Sequence, residues 1–253
     1  MTSEINPIEQ FQQECDEEIR RMGSDEKFTK LSESWLTASC NYKYAYHFSW
    51  MGRPVIQLPN DLVMMQELIW RIRPDVIVET GIAHGGSLVF YASMLALLDI
   101  TEREREREER RVIGIDIDIR AHNRKEIENH PMYSRLVLLE GSSINEEIAE
   151  KVCGLTRGKT TMVCLDSHHT HDHVLSELRL YAPLVSVGSY VVVFDTGVEF
   201  APKPADRPWG PGNNPYTAVQ AFLNETDDFE ADRTIDAKLQ ISAAPGGYLR
   251  RVR

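Results

Sequence analysis

The densest chemistry in this 253-residue sequence is the run Cys164-Leu165-Asp166-Ser167-His168-His169-Thr170-His171-Asp172-His173, one carboxylate followed by four histidines within six positions. A second apolar run closes on Phe194-Asp195-Thr196. If the two runs are neighbouring strands, Asp166 and Asp195 converge on one hard cation. A divalent ion there would lower the pKa of a substrate hydroxyl and orient it for attack. His168 or His169, with an ordinary pKa near ~6.5, would then be the general base. His171 and His173 fall in the first turn of the next helix and read as solvated or supporting groups.

Three more polar turns follow apolar runs. The first is Glu79-Thr80-Gly81-Ile82-Ala83-His84-Gly85-Gly86-Ser87. Gly81 can take a positive φ, and Gly85 and Gly86 let backbone approach a ligand and start a helix. The pattern is not GxGxxG, and an acid ahead of the first glycine would repel a pyrophosphate but suit a cation. The second turn, Gly114-Ile115-Asp116-Ile117-Asp118, offers Asp116, with Asp118 in reserve, to ribose hydroxyls. The third, Glu140-Gly141-Ser142-Ser143, suits an adenine edge. Together they fit S-adenosylmethionine better than NAD, with Glu79 balancing the methionine ammonium.

Positioning these groups requires an open α/β sheet, in which ligands sit beyond the carboxyl ends of the strands. Strands are expected at Asp75-VIVETG, Arg111-VIGIDI, Leu136-VLLEGS, Thr161-MVCLDS and Ser189-YVVVFDT, with two weaker ones near 229–236 and 240–251. Helices are expected at 62–72, 85–98, 120–129, 145–155, 171–181 and 217–223. Nearly continuous apolar strands alternating with helices imply a mostly parallel, seven-stranded sheet covered on both faces. The last two strands, with no helix between them, would form an antiparallel edge hairpin. Residues 57–253 would be this domain, and residues 1–56 an N-terminal arm. Phe11, Cys15, Ile19 and Met22 recur at helical spacing in the arm. Tyr42, Tyr44, Tyr46, Phe48 and Trp50 alternate, as in an extended segment that either packs the arm down or walls an acceptor pocket. The run TEREREREERR at 101–111 reads as a solvated helix end.

The composition is that of an ordinary globular chain, 42% hydrophobic and 26% charged. Lys+Arg 28 against Asp+Glu 39 gives −11, which disfavours a nucleic-acid partner. No run approaches the ~20 apolar residues of a membrane span, and the first residues carry no basic-then-apolar signal. A cytoplasmic location is expected. The cysteines, Cys15, Cys40, Cys153 and Cys164, form no CxxC pair, and two of them read as buried thiols.

The stretches VETGIAHGGS, VIGIDID, LDSHHTHDHVLSEL, GSYVVVFDT and APGGYLRR together resemble the cephalosporin hydroxylase / rhamnosyl O-methyltransferase family over roughly residues 55–253. The resemblance implies a Rossmann-like class I methyltransferase that uses S-adenosylmethionine. It carries Glu79, Gly81, Ser87, Asp116 and Ser142 over as cofactor-binding residues, to which the turns themselves add Gly85, Asp118 and Asp166. It carries Asp166 and Asp195 over as magnesium ligands and His169 as the adjoining histidine. Some members have Glu-Asp where this chain has Phe194-Asp195, so the third ligand is open to Thr196, His168 or water. The expected reaction is metal-assisted methylation of a hydroxyl on a sugar, glycoside or natural-product acceptor, by a homo-oligomer. The alternatives are methylation of an amide or amine, a metal-dependent hydroxylase or oxygenase, an NAD-dependent dehydrogenase, and a non-catalytic binding module.

Overall fold

Local caps divide the arm. Asn6 accepts from Ile8 N and starts α1 (Pro7–Ser24) with proline in its first turn. Asp25 then stops α1 and caps α2 (Glu26–Cys40) by accepting from Lys27 N and Phe28 N, so the arm is two helices. A 3-10 turn at Tyr44–His47 leads into a short hairpin of β1 (Phe48–Trp50) and β2 (Arg53–Val55). Met51 and Gly52, both at positive φ, form its two-residue turn. The extended segment expected at 41–52 therefore begins only at Phe48. Lys43, in the left-handed region, turns the chain, and Tyr44 packs edge-on against Trp35 and Phe48. The computed structural model describes residues 6–102, 108–203 and 205–253.

From residue 59 strands and helices alternate as α3 (Pro59–Ile72), β3 (Val76–Thr80), α4 (Gly86–Glu102), β4 (Arg111–Asp116), α5 (Ala121–Glu128) and β5 (Leu136–Glu140). They continue as α6 (Glu146–Thr156), β6 (Thr161–Leu165), α7 (His171–Tyr181), β7 (Tyr190–Val193) and α8 (Pro215–Glu225). The chain closes with β8 (Phe229–Ala231), α9 (Arg233–Leu239) and β9 (Tyr248–Arg251). The seven-stranded sheet has the order β5-β4-β3-β6-β7-β9-β8. Its first five strands are parallel, and β9 runs antiparallel to both β7 and β8. This is the Rossmann-like class I methyltransferase architecture.

Alternate strand residues feed two cores. Ile77, Val112, Met162 and Val192 pack with α3 and α4 on one face. Val78, Ile113, Val163 and Val191 pack with α6, α7 and α8 on the other. Burial on both faces explains why these strands read as continuous apolar runs.

Three expectations change. The two C-terminal strands are separated by α9, whose start Asp232 caps through Thr234 N and whose Ile235 joins the core. The charged run at 101–111 is not simply a solvated helix end, because Arg110 is only 1% exposed and bonds Asp99 and Glu102 at 2.5 Å each. Its middle, 103–107, lies outside the described residues. Of the four cysteines only Cys164 is buried, in β6. Among the described residues no helix is long and apolar enough to cross a membrane.

Candidate active site

The chain passes from β3 to β4 and β5 on one side, then returns to place β6 on the other side of β3. That reversal opens a crevice beyond β3 and β6, where open α/β sheets bind ligands. The two turns touch there, since a Cβ on Gly81 would lie 2.0 Å from the Asp166 carbonyl oxygen. Gly81 has φ +91, and no other residue meets both conditions.

Glu79, Ser87 and Asp116 meet around the first turn. Glu79 is fully buried, and its Oε2 accepts from the Ser87 hydroxyl at 2.7 Å. Its Oε1 has no hydrogen-bond partner. Burial pushes the Glu79 carboxyl up to about 8, and the Asp116 charge adds to the effect against the Ser87 hydrogen bond. Asp116 Oδ2 accepts from Ile82 N (2.8 Å) and Ala83 N (3.2 Å), and Oδ1 from Asp118 N (3.1 Å). Asp116 therefore organises the turn while keeping lone pairs for a hydroxyl. Asp118 is exposed beyond it. Gly85, at φ +79, sits against Ile127 of α5, where a Cβ would lie 2.5 Å from Cδ1. Ser142 lies in the turn after β5, and its carbonyl accepts from Asn145 N at 3.0 Å.

The second group forms at the ends of β6 and β7. Asp166, His169 and Asp195 each offer one ligand atom, all within 4.8 Å of one another, and His169 Nε2 lies 3.1 Å from Asp195 Oδ2. Burial and the carboxylates of Asp195, Glu79, Glu177 and Asp61 push the Asp166 carboxyl well above the carboxylate range. Two carboxylates and an imidazole this close, without an arginine or lysine paired to them among the described residues, fit a divalent cation. Asp195 holds a left-handed φ of +56, a conformation that non-glycine residues adopt at a cost of roughly 1–3 kcal/mol. The Thr196 hydroxyl donates to the Pro245 carbonyl at 2.9 Å and keeps its oxygen lone pairs. The structure brings His169 to the two aspartates.

Trp209 packs edge-on to both His168 (5.3 Å) and His169 (4.9 Å). His168 is exposed, and its pKa is lowered by partial burial and by the neighbouring His173 and His169 rings. His171 and His173 are bonded rather than solvated. His171 Nδ1 meets Thr217 Oγ1 at 2.9 Å, and His173 Nε2 lies 3.1 Å from the hydroxyls of both Ser143 and Ser167. From the arm, Cys40 comes near enough to Asp195 for that charge to add to burial in raising its thiol pKa.

Two buried acids behind the site went unread in the sequence. Glu177 of α7 accepts from Ser167 Oγ at 2.6 Å and faces His173 Nε2 at 3.4 Å, so it braces the turn that carries Asp166 and His169. Asp61 of α3 accepts from Ser242 Oγ, Ala243 N and Tyr248 OH at 2.6 to 2.8 Å, tying α3 to the C-terminal loop. Glu177 did leave a signal, an acid on the apolar stripe of Val174, Leu175, Leu178 and Tyr181.

Comparison with known proteins agrees with this architecture. A family model described as rhamnosyl O-methyltransferase/CmcI matches residues 42–252. The rhamnosyl O-methyltransferase of Mycobacterium tuberculosis (strain ATCC 25618 / H37Rv) is 29% identical over 212 residues, covering 80% of this chain and 78% of the relative. That of Mycobacterium leprae (strain TN) is 28% identical over 207 residues, covering 80% and 82%. The solved structure of CmcI with Mg and SAM is similar at a TM-score of 0.57 and 21% identity, covering 82% of this chain and 78% of that one. Apo CmcI gives 0.55 and 19%, covering 82% and 77%. The structural likeness shows the shared fold, and the sequence match, spanning far more than half of the chain, shows the lineage. The chain belongs to the rhamnosyl O-methyltransferase/CmcI family and is a methyltransferase.

Proposed function

We propose that the protein methylates a hydroxyl of a sugar, glycoside or natural-product acceptor, with S-adenosylmethionine as donor and a divalent cation, magnesium first, at Asp166 and Asp195. The observation that carries this reading is the uncompensated acid cluster at the switch point, where Asp166, Asp195 and Glu79 share a crevice without a lysine or arginine partner among the described residues. Such a site favours cations on both sides, an ammonium and sulfonium at Glu79 and a metal at Asp166. CmcI, a structural relative, has been solved with Mg and SAM together, which supports the pairing.

The donor supplies an electrophilic methyl on sulfur, and the metal supplies Lewis acidity toward a hydroxyl. This chain's residues do the rest. Glu79 presents the free Oε1 to the methionine ammonium, and Ser87 fixes its other oxygen. Asp116, with Asp118 beyond it, meets the ribose. Ser142 and Gly85 let the turns approach the adenine and the methionine. His169 accepts the acceptor's hydroxyl proton, and Trp209 holds its ring and excludes water from one side. Because the displacement is in line, the main contribution is orientation.

His169 has two compatible roles. Magnesium prefers oxygen ligands, which leaves the imidazole free as base, whereas a transition metal would take it as third ligand. One histidine and two carboxylates also invert the two-histidine, one-carboxylate set of iron oxygenases, which favours methyl transfer over the hydroxylase alternative. Residues 1–56 act as a lid over the acceptor, a reading supported by the Asp195 charge felt at Cys40, the last residue of α2.

The test is calorimetric titration of metal-stripped protein with S-adenosylmethionine, repeated with magnesium, followed by an acceptor screen on glycosides. Micromolar donor binding with metal-dependent turnover is expected. An absence of donor binding in both states overturns the reading. His169→Ala that keeps magnesium affinity but loses turnover identifies the base, and joint loss identifies a ligand.

A further inference from the structure

The turn after β3 does not hold its own shape. Ala83 sits at φ +46, a left-handed position for a residue with a Cβ, between Gly81 and Gly85, also at positive φ. Side chains from three other elements pin the backbone in that course. Asp116 of β4 takes the amides of Ile82 and Ala83. Asn123 of α5, itself buried, donates from Nδ2 to the Ala83 carbonyl at 2.9 Å. Arg53 of β2 then donates twice to the His84 carbonyl, from Nε at 3.0 Å and Nη2 at 2.6 Å. Nη2 also reaches Asn123 Oδ1 at 3.4 Å.

Arg53 is unusual among these because it comes from the N-terminal hairpin. It forms no ion pair with a carboxylate among the described residues, and its bonds there go to this turn. The hairpin is seated independently. Trp50 Nε1 donates to Ser93 Oγ at 3.0 Å, and its ring meets Phe90 edge-on. Gly86 lies so close that a Cβ there would come within 2.1 Å of the Pro54 carbonyl oxygen. The hairpin thus grips the turn that follows Glu79.

We propose that Arg53 is a positioning residue for the methyl donor, holding the 82–84 backbone in the strained course that keeps the crevice open to the donor's methionine and ribose. It acts through the turn and does not itself touch the donor. A planar guanidinium suits the task, because two of its N–H groups can converge on one carbonyl while a third contact reaches Asn123. The inference rests on the reading of this turn as the donor site.

The experiment titrates S-adenosylhomocysteine into the full chain by calorimetry, for wild type, Arg53→Lys, Arg53→Gln and Gly86→Ala. Magnesium titrations and thermal melts run in parallel. Arg53→Gln is expected to raise the Kd for S-adenosylhomocysteine roughly 10–100-fold, the effect of losing a charge-assisted hydrogen bond. Arg53→Lys, with one compact charge, should fall between it and wild type. Gly86→Ala, which pushes the hairpin off the turn by another route, should weaken binding in the same direction. Magnesium affinity and binding stoichiometry should stay at wild-type values. An unchanged Kd in Arg53→Gln overturns the proposal. So does a lowered melting temperature with fewer competent sites at unchanged Kd, which marks a merely structural arginine. Failure of the wild type to bind overturns the donor-site reading and takes this inference with it.

Discussion

The two ends of the parallel strands handle negative charge in opposite ways. At the amino ends Asp99 and Glu102 have cations beside them. Arg110 bonds Asp99 and Glu102, Arg135 bonds Asp99 at 2.5 Å, and Arg73 reaches Glu102 at 2.9 Å. At the carboxyl ends Glu79, Asp166 and Asp195 lie together, backed by buried Asp61 and Glu177, and His169 and His173 are the basic groups within reach. The first arrangement satisfies itself and belongs to stability. The second has no lysine or arginine partner among the described residues, and a bound cation is what would make it a site and not a brace.

Exchanging an acid for its amide sharpens this contrast most. Asp166→Asn or Asp195→Asn should lower metal-dependent turnover on the order of 10³-fold, since Lewis-acid assistance contributes several kcal/mol. Magnesium titration should show the ion lost, and retained magnesium affinity in both variants would break the comparison. At the opposite end, Asp99→Asn should destabilise the fold by about 3 kcal/mol, the low end for one broken partner of a buried pair. Asp166→Asn should instead raise the melting temperature of metal-free protein, because it removes like-charge repulsion. Urea denaturation of the two variants side by side checks the opposite signs.

Glu79 gives the next effect. Its folded pKa is raised from 4.5 to about 8, so its favourable contribution to the unliganded fold is fully present below about 4.5. That contribution is lost as pH climbs through about 8. A cationic donor needs the ionised form, so binding at pH 7 should release a proton, and affinity should rise by up to about tenfold per pH unit between about 6 and 8. Calorimetry in buffers of different ionisation enthalpy measures that proton, and Glu79→Gln should abolish it. The smallest effect is expected at Thr196→Val. Magnesium affinity should not change, and stability should fall by about 1 kcal/mol as the Pro245 carbonyl loses its donor.

Most of the architecture was legible because the central strands are buried on both faces and so spell out apolar runs. The rule that ligands gather at strand ends then singles out Glu79, Asp116, Asp166 and Asp195 from the sequence alone. Less was legible where one backbone angle decides direction. Asp195 lies in the left-handed region and the Thr196 hydroxyl after it bonds the Pro245 carbonyl, and no pattern of residue types announces either. Helix α9 was hidden because its seven residues are too short and polar for periodicity, and its start depends on the Asp232 cap. Asp61 and Glu177 looked like ordinary surface acids on helices. Their partners lie on other elements, Tyr248, 187 residues on, for Asp61 and the turn residue Ser167 for Glu177.

Helix α1 lies along α9, with Gly23 so close to Ala237 that a Cβ on the glycine would sit 2.6 Å from the alanine's. A helix synthesised early is therefore seated on one synthesised much later. About 210 residues must be made in between, roughly 10–40 s at ordinary rates of synthesis. Through that interval Ile8 and Phe11, exposed even in the finished fold, travel on a helix without its seat. The contact between α1 and α9 therefore forms only after the whole sheet domain between them in the chain has been made.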